Sequence, residues 1–243
     1  QAGRNPGRII PGVLRAFATS GWFADDFTLA EIKTLRAVQR VPSRPQQFNG
    51  RFKIPTFDEV IALAKRYSKR YGRTIGVYPE TKHPTYHRDL GLALERPLLK
   101  ALDRAGWDRR RAPVFIQSFE QSNLKKLDKR TDVKLVQLID AYDVAADGSL
   151  VYLPPYDRPY DWTVAGRSGT FGDLTTDAGL AEVSRYADGI GPWKPYVINT
   201  ATGGTDTGLV ARAHAHELVV HPYTFRNEQN QLAPIYGGNP INE

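Results

Sequence analysis

The sequence predicts an α/β protein with a parallel sheet, and two patterns indicate this class. From residue 74 onward, short apolar runs alternate with stretches of helical periodicity. Strands that are buried on both faces of a sheet read as continuous apolar runs, and their alternation with helices is typical of parallel βα units. Polar or special residues also follow these runs, at the strand ends where such sheets carry their sites. These residues are Glu80, Ser118, Asp140, Pro192 and Tyr223.

Two helices are expected before the first strand, because the chain carries two strong helix start signals. Residues 28–31 and 56–59 each begin with Thr and end with Glu, which is the pattern of a capping box. The second helix is expected to end at Gly72, since glycine is the usual residue after a helix C-terminus. Residues 41–52 are rich in Pro, Arg, Gln and Asn, which predicts an irregular connection.

Five apolar runs are predicted to be the strands of the sheet. They cover residues 75–78, 114–117, 134–139, 188–191 and 218–221. Helices are expected between them at residues 90–102, around Leu124 and Leu127, at 178–186 and at 208–218. Because proline has no N–H to continue a helix, the helix over residues 90–102 is expected to break near Pro97.

Parallel βα units can form an open doubly wound sheet or a closed (β/α)8 barrel, and both remain possible from this pattern. Both architectures place their sites at the carboxyl ends of the strands. No Gly-x-Gly-x-x-Gly motif follows a strand and opens a helix, which argues against a dinucleotide-binding sheet. A barrel needs eight strands, and the sequence shows five candidates.

The stretch from 141 to 176 shows neither helical nor strand periodicity, although residues 152–162 are rich in Tyr and Pro and end in Trp. Long loops in compact domains are usually functional or disordered. Leaving so many aromatic rings in water would be costly, so the sequence favours an ordered lid or rim over a flexible linker.

Composition excludes several classes of protein. With 243 residues, 41% of them apolar, the chain can bury a sizeable core. No apolar run approaches the roughly 20 residues that span a bilayer, so no integral membrane segment is expected. The absence of Cys excludes disulfides and thiolate metal sites. The net charge of +7 favours anionic partners, but the basic runs fall at helix ends, so we interpret them as solvated and expect no nucleic-acid partner.

The most suggestive polar segment directly follows the first predicted strand. Glu80 and Lys82 lie two residues apart, so both point to the same side if the extended conformation continues. A carboxylate can hold a hard divalent cation, and a nearby ammonium group can neutralise phosphate oxygens. From the spacing alone, a simple ion pair at a strand end is the favoured interpretation. A single carboxylate does not make a metal site, because Ca²⁺ and Mg²⁺ take more oxygen ligands.

The histidines do not form a recognisable metal motif. His83 and His87 have helical spacing, but Pro84 between them argues against a helix there. His214 and His216 lie near a predicted helix end, where histidine is usually structural. His221 ends a strand and either faces the mouth of the sheet or belongs to the core. Ser118 has no Gly-x-Ser-x-Gly motif around it, which argues against a nucleophile elbow.

Seven segments in order resemble the glycerophosphodiester phosphodiesterases, in particular their larger periplasmic or secreted bacterial branch. The most informative segments are GVYPETK at residues 76–82 and VVHPYT at residues 219–224. The others are residues 26–33, 54–60, 114–119, 135–139 and 187–192. Each segment is weak alone, but the order and spacing from residue 21 to residue 234 are specific.

The resemblance implies a (β/α)8 barrel enzyme that hydrolyses glycerophosphodiesters, small-molecule substrates, to an alcohol and glycerol 3-phosphate. It also implies a divalent cation cofactor, Ca²⁺ or Mg²⁺, and a periplasmic or secreted location. Glu80 matches the metal-binding glutamate of the family, and Lys82 matches the lysine next to the phosphate. Gln117, Phe119 and Tyr223 match positions near the substrate cleft. The headgroup alcohol and the oligomeric state stay open.

The departures from the family pattern concern the catalytic residues. The family's His-Arg-Gly, Glu-x-Asp and His-Asp segments, which supply the histidine pair and most metal ligands, are absent from the sequence, as is its final strand. We therefore interpret residues 21–243 as a partial barrel of about five βα units and leave residues 1–20 unassigned. The catalytic residues are unknown within this chain. These residues alone are expected to be inactive as a diesterase and, with unpaired strand edges, poorly soluble or self-associating.

Two other readings remain. A non-catalytic barrel protein could bind glycerophosphate or glycans, using the aromatic segment at residues 152–162 and the positive charge. Another barrel hydrolase acting on phosphate esters is a third possibility. The flanking gene sequence distinguishes the binding protein from the enzyme. Finding the missing family segments there would favour the enzyme, whereas a mature start at Gln1 would favour the binding protein.

Overall fold

The computed structural model describes residues 22–242. The chain separates into two compact units, Gln1–Ile75 and Gly76–Glu243. The first unit contains the two expected helices, α1 (Leu29–Ile32) and α2 (Phe57–Tyr71). Both capping boxes form, since Thr28 N donates to Glu31 Oε2 at 2.8 Å and Thr56 N donates to Glu59 Oε2 at 2.7 Å. The left-handed Gly72 ends α2 as predicted, and residues 41–52 form turns.

The second unit is built on a parallel sheet, in agreement with the predicted class. In the described part of the chain, the sheet comprises β1 (Phe115–Ser118), β2 (Lys134–Ile139), β5 (Gly189–Pro192) and β8 (Val219–Val220), in that spatial order. All three pairings are parallel. Four of the five predicted strands are therefore confirmed at their predicted places.

The remaining predicted strand pairs with β1 only at isolated positions. Val77 pairs with Val114, and Glu80 pairs with Gln117, both in parallel. Pro79 lies between them and has no N–H to donate, so one hydrogen bond of the ladder cannot form. The flanking bonds do form, with Phe115 N donating to the Val77 carbonyl at 3.2 Å and Gln117 N donating to the Pro79 carbonyl at 2.9 Å. The segment 77–80 thus lies beside β1 and adds one position to the sheet, on the side of β1 away from β2.

The sheet is strongly curled, which decides between the two architectures. The Tyr78 hydroxyl lies 3.0 Å from Nδ1 of His221, although segment 77–80 and β8 are four positions apart in the sheet. Neighbouring strands are about 4.8 Å apart, so a flat sheet would separate these two edges by roughly 19 Å. In a barrel of eight strands, strands four places apart face each other across the interior. The contact therefore shows barrel-type curvature and excludes a flat open sheet.

Helices follow the strands, as βα units require. They are α3 (Pro84–Asp89), α4 (Glu95–Arg104), α5 (Gln121–Asp128), α6 (Tyr160–Val164), α7 (Asp177–Val183) and α8 (Leu209–Ala215). The core between sheet and helices includes Ile116, Leu124, Leu180 and Ile190, each 0% exposed. Short hairpins pair β3 (Asp143–Val144) with β4 (Leu150–Val151), and β6 (Ile198–Asn199) with β7 (Thr205–Asp206).

Two predictions about proline were wrong. Pro84 does not prevent a helix, because it occupies the first position of α3, where the missing N–H costs nothing. Pro97 does not break a helix either, since α4 begins at Glu95 and Pro97 lies in its first turn. Residues 90–94 lie outside the helix. In both cases the proline lies in the first turn of a helix. The hydrophobic periodicity of the sequence did not show where these helices begin.

Residues 141–176, the aromatic stretch after β2, are packed, as expected for an ordered segment. This stretch contains the β3–β4 hairpin, α6 and a 3₁₀ helix over Phe171–Thr175. Trp162 and Phe171 are each 3% exposed. Their burial explains why a segment without periodicity holds a defined course. Within the described residues, no helix combines the length and apolarity needed to cross a membrane.

Candidate active site

The carboxyl ends of the curled sheet gather a set of polar side chains. Glu80 lies at the end of segment 77–80 and is in register with Gln117 at the end of β1. Asp140 directly follows β2. Tyr223 lies three residues after β8, and its hydroxyl donates to the Ile139 carbonyl at 3.0 Å. Since parallel strands end at one rim, four separate parts of the chain deliver these groups to one place.

The Glu80 carboxylate is incompletely satisfied. Its Oε1 atom is buried and has no hydrogen-bond partner. The Lys82 ammonium lies 3.6 Å from that atom and is 69% exposed, so it contributes charge without a hydrogen bond. Buried polar atoms are normally bonded, and an orphaned one requires an explanation such as a missing ion or water. The atom is a hard oxygen donor that suits Ca²⁺ or Mg²⁺.

Electrostatic coupling shows that Asp140 belongs to the same group. Burial raises the pKa of Asp140, while the Tyr223 hydroxyl, the Ala141 N–H and the positive charge of Lys82 oppose that rise. Burial likewise raises the pKa of Tyr223, and the nearby carboxylates of Asp140 and Glu80 add to the effect. Tyr223 therefore remains a neutral hydroxyl between two carboxylates. The rim combines two acidic groups, one ammonium group and one phenol.

An aromatic wall borders this rim. The ring of Phe119 lies 6.0 Å from Tyr223 and 6.0 Å from Phe171, in edge-to-face arrangements. The Tyr196 hydroxyl donates to the Asp140 carbonyl at 2.7 Å, and the Tyr152 hydroxyl lies 3.0 Å from it and can donate to it in turn. These bonds hold the turn after β2 in place.

The structure brings together all five residues selected from the sequence, namely Glu80, Lys82, Gln117, Phe119 and Tyr223. Asp140 was noted only as a polar residue after a strand. The signal that could have identified it is the one that identified Glu80, a carboxylate immediately beyond a buried strand. The sequence did not reveal that Lys82 and Tyr223 would lie close enough to affect the pKa of Asp140, because their proximity depends on the curl of the sheet.

The serine and the histidines considered in the sequence analysis pack against, or hydrogen-bond to, neighbouring protein groups. Ser118 is fully buried and donates to the Thr81 carbonyl at 3.3 Å. His83 precedes α3 and packs edge-on against Tyr160 at 5.9 Å. His221 contacts Tyr78 and packs at 5.0 Å against Phe115. Burial lowers the pKa of both histidines, with positive neighbours adding to the effect. His214 lies in the last turn of α8 and His216 follows it, as predicted.

The described residues supply only part of a metal site. Among them, no group of three or more His, Cys, Asp or Glu side chains is arranged to hold a metal ion. The oxygens of Glu80 and the nearby Asp140 fit a hard cation by their chemistry, and the orphaned Oε1 atom requires a partner. These residues would therefore hold one side of a divalent cation.

Comparison with known protein families identifies the family of this chain. The model of the glycerophosphoryl diester phosphodiesterase family matches residues 11–237. This chain belongs to that family. The match begins at residue 11, ten residues before the start of the resemblance seen in the sequence. Residues 1–20, which the sequence analysis leaves unassigned, lie outside the residues that the structure describes.

Curated relatives carry the same family name. The chain is 35% identical over 238 residues to glycerophosphodiester phosphodiesterase GDPD6 of Arabidopsis thaliana, a match that covers 92% of this chain and 58% of that protein. It is 29% identical over 231 residues to a glycerophosphodiester phosphodiesterase of Haemophilus influenzae, covering 85% of this chain and 60% of that protein. The chain thus spans about 60% of the length of these relatives.

Crystal structures support the fold. A putative glycerophosphoryl diester phosphodiesterase from Silicibacter pomeroyi superimposes with a TM-score of 0.53 at 16% identity, covering 81% of this chain and 57% of that one. One from Agrobacterium tumefaciens gives 0.51 at 16% identity, covering 92% and 67%. The fold of this family member is accordingly of the (β/α)8 barrel type, of which the described sheet is a part.

Proposed function

We propose that the gene product hydrolyses glycerophosphodiesters to an alcohol and glycerol 3-phosphate, with a divalent cation, Ca²⁺ or Mg²⁺, as cofactor. The main support is the buried Glu80 Oε1 atom, which lacks a hydrogen-bond partner and lies 3.6 Å from the Lys82 ammonium. A cation and an ammonium group side by side suit a phosphodiester, whose charge both would neutralise. The names of the curated relatives agree with this substrate class.

Each residue of the rim has a proposed task. Glu80 holds the cation, which when bound supplies charge stabilisation at the phosphoryl oxygens. Lys82 faces solvent and attracts the phosphate, while Gln117, in register with Glu80, offers an amide to a substrate oxygen. The Tyr223 hydroxyl donates a hydrogen bond to the Ile139 carbonyl and helps to fix the rim. Phe119 excludes water from one side of the cleft.

Proton transfer needs residues outside this group. The family's histidine segments are absent from the sequence, and His221 is engaged with Tyr78. We therefore propose that residues 1–243 alone lack appreciable diesterase activity. The periplasmic or secreted location and the absence of a nucleic-acid partner also remain predictions.

The test is release of glycerol 3-phosphate from glycerophosphocholine by the full-length gene product and, separately, by residues 1–243. We expect activity of the full-length product that chelation abolishes and Ca²⁺ or Mg²⁺ restores. We expect no appreciable release by residues 1–243 under the same conditions. Undiminished turnover after chelation would contradict the metal requirement.

A non-catalytic binder of glycerophosphate or glycans is the second candidate. It is favoured by two exposed rings near the rim, since Tyr142 and Tyr156 are 46% and 50% exposed and lie 6.4 Å apart. Exposed aromatic side chains of this kind offer faces on which sugar rings can pack. Binding of glycerophosphate without any turnover of the full-length product would favour this candidate over the enzyme.

A further inference from the structure

Three buried oxygen atoms without partners surround the start of α5, apart from the rim described above. They belong to Glu120, Thr85 and Asp161, which are 1%, 6% and 9% exposed. The atoms are Oε1 of Glu120, Oγ1 of Thr85 and Oδ1 of Asp161, and each is buried without a hydrogen bond. One such atom can be accidental, but three on neighbouring residues indicate that a component is missing.

One hydrogen bond joins Thr85 to Glu120, and another joins Asp161 to Ser122 at the start of α5. Thr85 N donates to Glu120 Oε2 at 3.0 Å, so Thr85 faces the Glu120 carboxylate. Ser122 N donates to Asp161 Oδ2 at 2.6 Å. Because Glu120 and Ser122 flank the first residue of α5, both carboxylates lie at the same helix end. In each of them, one oxygen is fixed by a backbone N–H and the other is left over.

The nearby cations are engaged elsewhere. Arg88 pairs with Glu95 at 3.2 Å. Arg167 donates to Gln121 at 2.9 Å and stacks on the Trp162 ring at 3.6 Å. Among the described residues, neither Glu120 nor Asp161 has a positively charged group within ion-pair distance. Neither carboxylate thus has an ion-pair partner in the described part of the chain. Burial and the neighbouring charge of Asp161 raise the pKa of Glu120 to about 7, while the more distant charge of Arg88 opposes that rise.

We propose that Thr85, Glu120 and Asp161 bind a divalent metal cation at the start of α5, separate from the Glu80 site. Two carboxylate oxygens and a hydroxyl are hard donors of the type that Ca²⁺ prefers, and their formal charge of two matches it. Water molecules would complete the coordination. A water cluster, or a proton on Glu120, would satisfy these oxygens without a metal, and the amount of Ca²⁺ bound distinguishes these cases.

Such a cation would join three helices. Thr85 is on α3, Glu120 precedes α5, and Asp161 is on α6. The aromatic stretch after β2 would then be anchored by the metal in addition to its packing. Trp162, next to Asp161 and 3% exposed, would report binding through its fluorescence. The site is structural, so the proposal does not depend on the diesterase activity.

The experiment counts Ca²⁺ bound to metal-free full-length gene product by equilibrium dialysis, in a Glu80→Gln background that removes the first site. We expect one Ca²⁺ per chain, a change in tryptophan fluorescence, and a rise in the unfolding temperature of about 5 °C at a hundredfold excess over Kd. Adding Glu120→Gln, which keeps the shape of the side chain, should abolish all three responses.

Matched variants make each outcome decisive. Thr85→Val should weaken Ca²⁺ binding at least about tenfold by removing one ligand, and it serves as the second variant if Glu120→Gln does not fold. Glu182→Gln, on α7, is the control and should bind Ca²⁺ normally, because its carboxylate already pairs with Lys125 and Arg185. No Ca²⁺ bound in the Glu80→Gln background, stabilisation by Na⁺ alone, or binding that survives both site variants would overturn the proposal.

Discussion

Carboxylates at the two ends of the parallel sheet differ in how completely they are hydrogen-bonded and paired. At the amino ends of the strands, Asp188 accepts a hydrogen bond from Leu135 N at 2.8 Å and forms an ion pair with Arg110. At the carboxyl ends, Glu80 retains a buried oxygen without a hydrogen bond. The same type of side chain is fully satisfied at one end of the sheet and left incomplete at the other.

This difference separates stability from function within one fold. A paired and bonded carboxylate stabilises the strands that it joins, whereas an unpartnered buried oxygen costs free energy unless a ligand completes it. A cavity of about 280 Å³ lies at the amino end and is lined by Arg110 and Asp188 among others. None of its lining residues has a buried polar side-chain atom without a hydrogen bond. Substitutions at the two ends should consequently affect different properties.

The largest expected effect is on activity, at the carboxyl end. Glu80→Gln keeps the shape of the side chain and removes the charge that would hold the cation, so kcat of the full-length product should fall at least about 100-fold. Its unfolding temperature in metal-free buffer should stay the same or rise. Release of glycerol 3-phosphate and thermal unfolding measure the two properties. Activity within threefold of wild type would remove Glu80 from the site.

The next effect is on stability, at the amino end. Asp188→Ala leaves the buried N–H of Leu135 without an acceptor and should lower the free energy of unfolding by about 2 kcal/mol. Asp188→Asn retains an acceptor and is the matched control, with a smaller loss. Urea unfolding measures both. If the Ala variant instead lost activity without losing stability, the contrast between the two ends would be wrong.

Tyr223→Phe is expected to have an intermediate effect on both properties. It removes the hydroxyl that donates to the Ile139 carbonyl at 3.0 Å, so we expect a loss of about 1 kcal/mol in unfolding free energy. Because the hydroxyl also lies beside Asp140 and Glu80, KM and kcat should change by no more than about tenfold. A variant with wild-type stability would show that the bond contributes nothing to the rim.

The smallest effect is a pH dependence from His221. Burial and the charge of Lys134 lower the pKa of this histidine in the folded chain. The unfolded chain therefore binds a proton more readily, and stability should fall slightly as the pH drops below about 6.5. His221→Gln should flatten that part of the stability curve measured by urea unfolding between pH 5 and 8. An unchanged slope would contradict the shift.

Local sequence patterns predicted most of the elements but not their ends. Capping boxes located α2 because its start depends on residues three apart, and apolar runs located β1, β2, β5 and β8 because burial on both faces leaves no polar alternation. Prolines were harder to interpret. Pro84 and Pro97 fit the first turns of α3 and α4, and periodicity does not distinguish a first turn from a helix interior.

The sequence by itself determined the βα order, the carboxylate after the first strand segment and, through its resemblance, the family. Only the tertiary structure decided the curl of the sheet, since the contact between Tyr78 and His221 joins residues 143 positions apart. The same holds for the grouping of Thr85, Glu120 and Asp161. Local propensities act over a few residues, whereas which polar atoms meet, and which are left without a partner, depends on how distant segments pack.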